Sequence, residues 1–463
     1  MSELEGKPPP VESQAETQVE PSDELIRTVD EALQEGDARG AAKLALSLHV
    51  ADQADLLEQL GREGRAELIG ELKTELDPEL LTHLDEDVRA EVIELLGRAD
   101  AAAAIAQLDT DDAIEVLGDL DEAEQIALLE TLPLPERAAV EQGLTYPEDS
   151  AGRLMQRDFV AAPEFWTVGQ TIDYLRANPK LPDDFYDIYI INPRFEPVGS
   201  IPLSKVLRSR RGVLLTELKL KERHLIPVAM DQEEVGFQFR QYGLVSAPVV
   251  NEAGRLLGVI TVDDVVHVIE EEAEEDIFRL GGVPDTGVFA PPLRTSLRRV
   301  PWLLLNLGTA MLAALVIAQF EAAIEQLVVL AVLMPVVVAL GGNAAMQAMT
   351  VTVRALAMRQ ITRANAARVL GKELLVGGLN GAALLVAGIL LVLGWLGQVG
   401  LSLVFGGGII LTILVAALVG VTVPILLDRL GIDPAVASSV FVLTATDVFG
   451  FLAFLGLATL YLL

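Results

Sequence analysis

The 463-residue chain carries 67 acids against 34 bases, a formal net charge of −33, yet it is 51% hydrophobic with a mean hydropathy of +0.41. The two properties are segregated: residues 301–463 hold six acids and six bases, so residues 1–300 carry the whole surplus. Length and segregation exclude a single soluble domain, the acidic surplus disfavours nucleic acid as a partner, and the lack of cysteine excludes disulfides and thiolate metal sites.

In chain order, residues 1–22 are polar and acidic with no apolar run, and are expected to form a disordered tail without a secretory signal. Residues 23–145 read as an all-α domain. Leucines recur at helical spacing in segments such as Ala54–Leu60 and Asp111–Leu117. Breaks fall at Asp77-Pro78, Asp109, Asp121, Pro133 and Pro135, which predicts a superhelical stack of short helices without a strict repeat. Beyond residue 146 the pattern becomes α+β. Ile188–Ile191 and Pro248–Val250 are strand-like, and each precedes a second short strand (197–201 and 256–261) and then a helix. The two units lie about 60 residues apart, an internal duplication. They resemble a pair of CBS domains, placed at 146–208 and 209–269. By that resemblance Thr261 and Asp264 are candidate contacts for the ribose of ATP or another adenine nucleotide. The first repeat, Ser200-Ile201-Pro202-Leu203-Ser204-Lys205, lacks the acid.

Residues 270–299 are expected to form an acidic connecting helix. Six of the seven residues 270–276 are acids. On a continuous helix Asp264, Glu271 and Glu275 share a stripe, with Glu272 and Asp276 on its flank. Like charges at this spacing cost a few tenths of a kcal/mol per pair, and a divalent cation reverses the sign. Carboxylates suit Mg²⁺, which keeps several waters. The alternative is a solvated acidic face.

From residue 300 four charge-poor stretches follow. Leu374–Leu427 is long enough for two spans of about 20 residues, with a break expected in the glycine-rich 394–408 region. Five transmembrane helices are therefore predicted in residues 300–463. Arg294, Arg298 and Arg299 precede the first span, and Arg354, Arg359, Arg363, Arg368 and Lys372 separate the second from the third. Both clusters are expected in the cytoplasm, which puts the N-terminus inside and the C-terminus outside a multi-pass protein of the cytoplasmic membrane. Pro335 and Gly341-Gly342-Asn343 suggest a bend in the second span. Asn343 and Gln347 also suit interhelical hydrogen bonding, and Gly377, Gly378 and Gly381 suit close helix packing. Glu373 suits an ion pair with Arg368 or Lys372. Asp447 sits near mid-helix in the fifth span. Ionising a carboxylate in lipid costs a few kcal/mol or more, so Asp447 should face water, a partner or an ion. No Ser-His-Asp, Walker or zinc signature is present, and His49, His83, His224 and His267 all precede the membrane half, so no enzyme is indicated.

The order of parts and several motifs resemble the MgtE family of magnesium channels. The motifs are Tyr146–Met155, Glu272-Ala273-Glu274-Glu275-Asp276-Ile277, Pro335 with Gly341–Gln347, and Gly431-Ile432-Asp433-Pro434 followed by Thr444-x-x-Asp447-x-x-Gly450. The resemblance implies a homodimer in lipid whose second and fifth spans line a Mg²⁺ pore. Asp447 would hold hydrated Mg²⁺, with Gly342, Ala345, Thr350, Ser439 and Leu443 nearby. It further implies regulatory Mg²⁺ at Asp264, Glu272, Glu275 and Asp276, with Asp111 or Asp112 contributing. Two positions depart from the pattern: Ala345 stands where glycine is frequent, and His267 stands where an acid of the gating cluster is usual. Other divalent cations (Mn²⁺, Co²⁺, Ni²⁺) share the ligand chemistry. A nucleotide-sensing membrane regulator is the competing class.

Overall fold

A computed structural model of the chain describes residues 23–73, 75–182, 184–220, 224–283 and 290–463. The expected disordered tail, 1–22, lies outside the described residues. Two compact units divide the chain between Val266 and His267.

The first unit opens with a helical stack. Its α-helices are α1 (Asp23–Gln34), α2 (Ala38–Ala45), α3 (Val50–Gln59), α4 (Arg62–Leu72), α5 (Glu86–Leu96), α6 (Arg98–Ile105), α7 (Thr110–Gly118), α8 (Glu122–Leu129) and α9 (Leu134–Gly143), with a 3-10 turn at Pro78–Leu81. Several breaks are helix caps. The carboxylates of Asp37, Asp77 and Asp85 accept from the N–H groups of Gly40, Glu79 and Asp87, satisfying donors that a helix start leaves open. Leu, Ile, Val and Ala fill one continuous core. Two buried arginines pin successive turns of the stack. Arg65 pairs with Glu91 at 2.8 Å. Arg89 pairs with Asp119 at 2.6 Å and Glu115 at 2.8 Å, and also donates to the Leu84 carbonyl.

The duplication is real and larger than the sequence pattern suggested. Each repeat is a three-stranded sheet: β1 (Ala161–Pro163), β2 (Asp187–Ile191) and β3 (Pro197–Pro202), then β4 (Ile226–Pro227), β5 (Ser246–Val250) and β6 (Leu256–Thr261). In both, the first strand runs parallel to the second and the second pairs antiparallel with the third. The parallel crossovers carry α10 (Val168–Ala177) and α13 (Gln232–Tyr242), which the β-β-α reading missed. After β3 come the short α11 (Leu203–Leu207) and α12 (Leu215–Leu218); β6 runs directly into α14 (Val262–Leu280). The two sheets share a half-buried polar link: Tyr189 Oη meets Ser246 Oγ at 2.6 Å, and Ser246 Oγ donates to Asp187 Oδ2 at 2.7 Å.

Among the described residues, the second unit holds five helices long and apolar enough to cross a membrane: α15 (Pro292–Ala318), α17 (Val329–Ala357), α18 (Ala366–Leu396), α19 (Val399–Arg429) and α20 (Pro434–Leu462), with the short α16 (Glu321–Gln326) after the first. α19 is the buried centre, packed by α17, α18 and α20. Three expectations need correction. The range 270–299 is not one helix: α14 ends at Leu280, and residues 292–299 belong to the first span. α17 is unbroken through Pro335 and Gly341-Gly342. The break in the long apolar stretch is confined to Gly397-Gln398, where Gly397 (φ +66°) ends α18. Gly406 and Gly408 lie inside α19, where added Cβ atoms would come within 2.7 Å of Ile389 and 3.1 Å of Phe454. These glycines are there for close packing rather than for a turn.

Candidate cation sites in the membrane and at the acidic helix

In the membrane unit, Asp433 caps α20 by accepting from the Ala435 N–H at 2.7 Å, and Asp447 follows near the middle of that 29-residue helix. Its threonine neighbours are self-satisfied. Thr444 and Thr446 donate to the carbonyls of Val440 and Val442 one turn back. Gly341 of α17 sits against this stretch, since a Cβ there would meet Thr412 at 2.3 Å and Thr446 at 3.1 Å. Gly342 faces Leu443, with 3.6 Å from its would-be Cβ to Leu443 Cδ2. Glycines thus bring α17 onto α20 beside half-buried Asp447. Along α17, Asn343, Gln347 and Thr350 are exposed at spacings of four and three residues, which sets them on one face. A polar face on a membrane helix needs water or protein over it.

The expected pore residues therefore divide. Gly342 and Leu443 come together, and Asp447 lies one turn beyond Leu443 on α20. Thr350 lies on the polar face, about 12 Å along the axis from Gly342 at 1.5 Å per residue. Ala345 does not join them: it is fully buried, and its carbonyl packs where a Cβ on Gly420 would sit, at 2.8 Å. Ser439 is buried as well. Glu373 meets Lys372 at 3.7 Å, one of the two partners expected for it.

In the first unit, Asp111 and Asp112 occupy the first turn of α7 and feel the charge of Asp264 at the start of α14. Asp111 is buried, and neither carboxylate oxygen has a hydrogen-bond partner. Burial first, then Asp264, Asp112 and Asp109, push its pKa well above the ordinary carboxylate value. Burial and the Asp264 charge push Asp112 up to about 7. Burial raises Asp264 to about 6, opposed by the hydrogen bond it accepts from Thr261 Oγ1 at 2.7 Å. The two candidate nucleotide contacts, Thr261 and Asp264, are thus bonded to each other.

The acidic run on α14 has a different phase from the expected stripe. Glu272, Glu275, Asp276, Arg279 and Leu280 are half-buried, whereas His267, Glu270, Glu271 and Glu274 are exposed. Arg279 pairs with Glu275 on its own helix and, at 2.5 Å from Nη1, with Asp433 Oδ2 at the start of α20. Burial, then Asp433 and Glu272, raise Asp276 to about 6. Sequence reasoning assigned no site role to Asp433 or Arg279. Asp433-Pro434 is a legible helix start and Glu275/Arg279 a legible i,i+4 pair; the contact between them spans 154 residues. Among the described residues, no three His, Asp or Glu side chains form a ready-made metal cage.

The chain matches three family models. They are a divalent cation transporter domain at residues 334–457, the MgtE intracellular N domain at 48–149, and a CBS domain at 221–271. It is 36% identical over 323 residues to the magnesium transporter MgtE of Thermus thermophilus, covering 68% of this chain and 71% of that one. It is 32% identical over 320 residues to the magnesium transporter MgtE of Enterococcus faecalis, covering 69% and 70%. A solved cytosolic domain of the Mg²⁺ channel MgtE in complex with ATP aligns at 29% identity over 52% of this chain and 99% of that one, with a TM-score of 0.48. Five apolar spans following a helical stack and a CBS pair define a multi-pass membrane protein of the transporter class. Within that class, the chain belongs to the MgtE family of magnesium transporters.

Proposed function

We propose that this protein is a homodimeric Mg²⁺ channel that admits magnesium across the cytoplasmic membrane and closes when cytosolic Mg²⁺ is plentiful. The carrying observation is Asp447: a lone acid in the middle of α20, beside Gly341-Gly342, on a helix pair whose α17 partner presents an uncovered polar face. A two-fold axis through that face would bring two carboxylates to one path. Mg²⁺ dehydrates reluctantly, so two separated carboxylates would grip its water shell rather than strip it. Leu443 and Gly342 would border the site, Thr350 would lie further along the path, and Ala345 and Ser439 would hold the helices from behind. Exposed Arg354, Arg359, Arg363, Arg368 and Lys372 between the second and third spans support a cytoplasmic N-terminus and an outside C-terminus.

Closure would be mass action on two acid groups: Asp111, Asp112 and Asp264 in the first unit, and Glu272, Glu275 and Asp276 on α14. Burial first, and neighbouring carboxylates with it, raise the pKa values of Asp111, Asp112, Asp264 and Asp276, so their negative charge lacks a counter-charge in the compact arrangement. A divalent cation bound there stabilises that arrangement over one in which the acids separate. His267 is a poorer Mg²⁺ ligand than an acid and weakens the α14 end of the sensor. A nucleotide at Thr261 and Asp264 would compete with the cation for Asp264. The test is ion influx into liposomes holding purified protein. Mg²⁺ entry that falls as Mg²⁺ is loaded on the cytosolic face supports the reading. Entry indifferent to that Mg²⁺ contradicts the gating half, and no entry contradicts the whole.

A further inference from the structure

Three side chains of the second unit meet at the end of α14. The Arg279 guanidinium touches the Glu275 carboxylate one turn earlier and donates to Asp433 at 2.5 Å. Asp433 is also the N-cap of α20, the helix that carries Asp447. Asp276 and Glu272 bring further negative charge to the joint. Two contacts reinforce it. Leu280 packs on a core that includes Ala345, Met349 and Val353 of α17 and Ala435 and Val442 of α20. Gly282, at φ +65°, lies under Trp302 of α15, and a Cβ there would come within 1.7 Å of the indole nitrogen. The end of α14 is therefore seated on both helices of the proposed pathway.

We propose that Arg279 is a positioning residue that supplies, from the chain itself, a counter-charge between α14 and α20, so that the two helices dock before any divalent cation binds. A guanidinium spans two carboxylates through its fork of donors. The acids at this joint outnumber it, which leaves charge for Mg²⁺ to neutralise. Without Arg279, docking depends on the divalent ion alone. Sensitivity to cytosolic Mg²⁺ is thereby set partly by a fixed cation that the ion assists rather than replaces. The inference rests on the gating reading for its consequence and on geometry alone for its contact.

The test uses the full-length protein in liposomes. The chain has no cysteine, so spin labels at Ile277→Cys and Ile432→Cys, both exposed positions, report the α14–α20 distance without background. With arginine at 279, a short α14–α20 distance is expected in Mg²⁺-free buffer, beside the longer distances between the copies of a dimer. With Arg279→Gln, a longer or broadened distance is expected, returning to the short one on adding Mg²⁺. Arg279→Lys should restore part of the short population. An unchanged short distance in the Mg²⁺-free Arg279→Gln protein overturns the proposal. In flux, Arg279→Gln should raise the half-inhibiting cytosolic Mg²⁺ at least threefold. Asp433→Asn, which keeps the cap but loses the charge, should do the same, and the double variant should go no further. Additive effects overturn the proposal. If wild-type flux ignores cytosolic Mg²⁺, the gating reading fails while the distance measurement still decides the contact.

Discussion

Asp111 stands in the first turn of α7, where the helix dipole favours a negative charge, yet both its oxygens are buried without a partner. Its raised pKa, with those of Asp112 and Asp264, fixes a sign. A carboxyl with a folded-state pKa above its unfolded value binds its proton more tightly when folded. Its favourable contribution is complete below about pH 4 and is lost as pH rises through the folded values, about 7 for Asp112 and about 6 for Asp264. In chelator, thermal unfolding should therefore show a less stable protein at pH 8 than at pH 5. Added Mg²⁺ should raise Tm more at pH 8, where it finds ionised ligands. Asp111→Asn should be the more stable form in chelator at pH 8 and should lose part of the Mg²⁺ gain. Equal gains at both pH values would remove the cluster from the sensor. Asp111 and Asp112 were visible in the sequence as acids at a helix start. Their burial was not, because it depends on contacts beyond their own helix.

Among elements, the membrane helices and the strands could be read from charge-free length and from short β-branched runs, which are local signals. What escaped was the part fixed by partners. The acidic face of α14 is phased by Arg279, Leu280 and Asp433, so Glu272 turns inward while Glu271 faces out. Gly406–Gly408 read as a break because glycine both ends helices and permits close approach, and only the neighbours of α19 separate the two. α18 makes the same point. Cβ atoms at Gly377, Gly381 and Gly388 would fall 2.8 Å from Ala417, 2.9 Å from Ile410 and 2.9 Å from Ile409, whereas nothing lies within 4 Å at Gly371. Gly381→Leu should force α18 off α19 and lower the yield of monodisperse protein in detergent several-fold. Gly371→Ala should be neutral or stabilising by up to about 1 kcal/mol, the helix-propensity difference. Equal yields for Gly381→Leu and wild type in size-exclusion chromatography would contradict this packing.

For the whole molecule, the net charge of −33 belongs to residues 1–300, and its densest run, residues 270–276, lies on α14. Replacing Glu272, Glu275 and Asp276 with their amides should shift inhibition by cytosolic Mg²⁺ at least tenfold upward in liposome flux. Unchanged inhibition would reduce the run to a solvated face. If the polar face of α17 meets a second copy, Asn343→Cys in this cysteine-free chain should form an intermolecular disulfide in membranes under mild oxidation. A cysteine at lipid-facing Leu379, which is 65% exposed, should not. The account turns most on one side chain, so its most direct measurement is Mg²⁺ influx into liposomes by wild type and Asp447→Ala at matched, folded protein levels. At least a tenfold fall for the alanine variant is expected, because the carboxylate proposed to hold the hydrated ion is gone. Influx at the wild-type rate would contradict the assignment of α17 and α20 as the path.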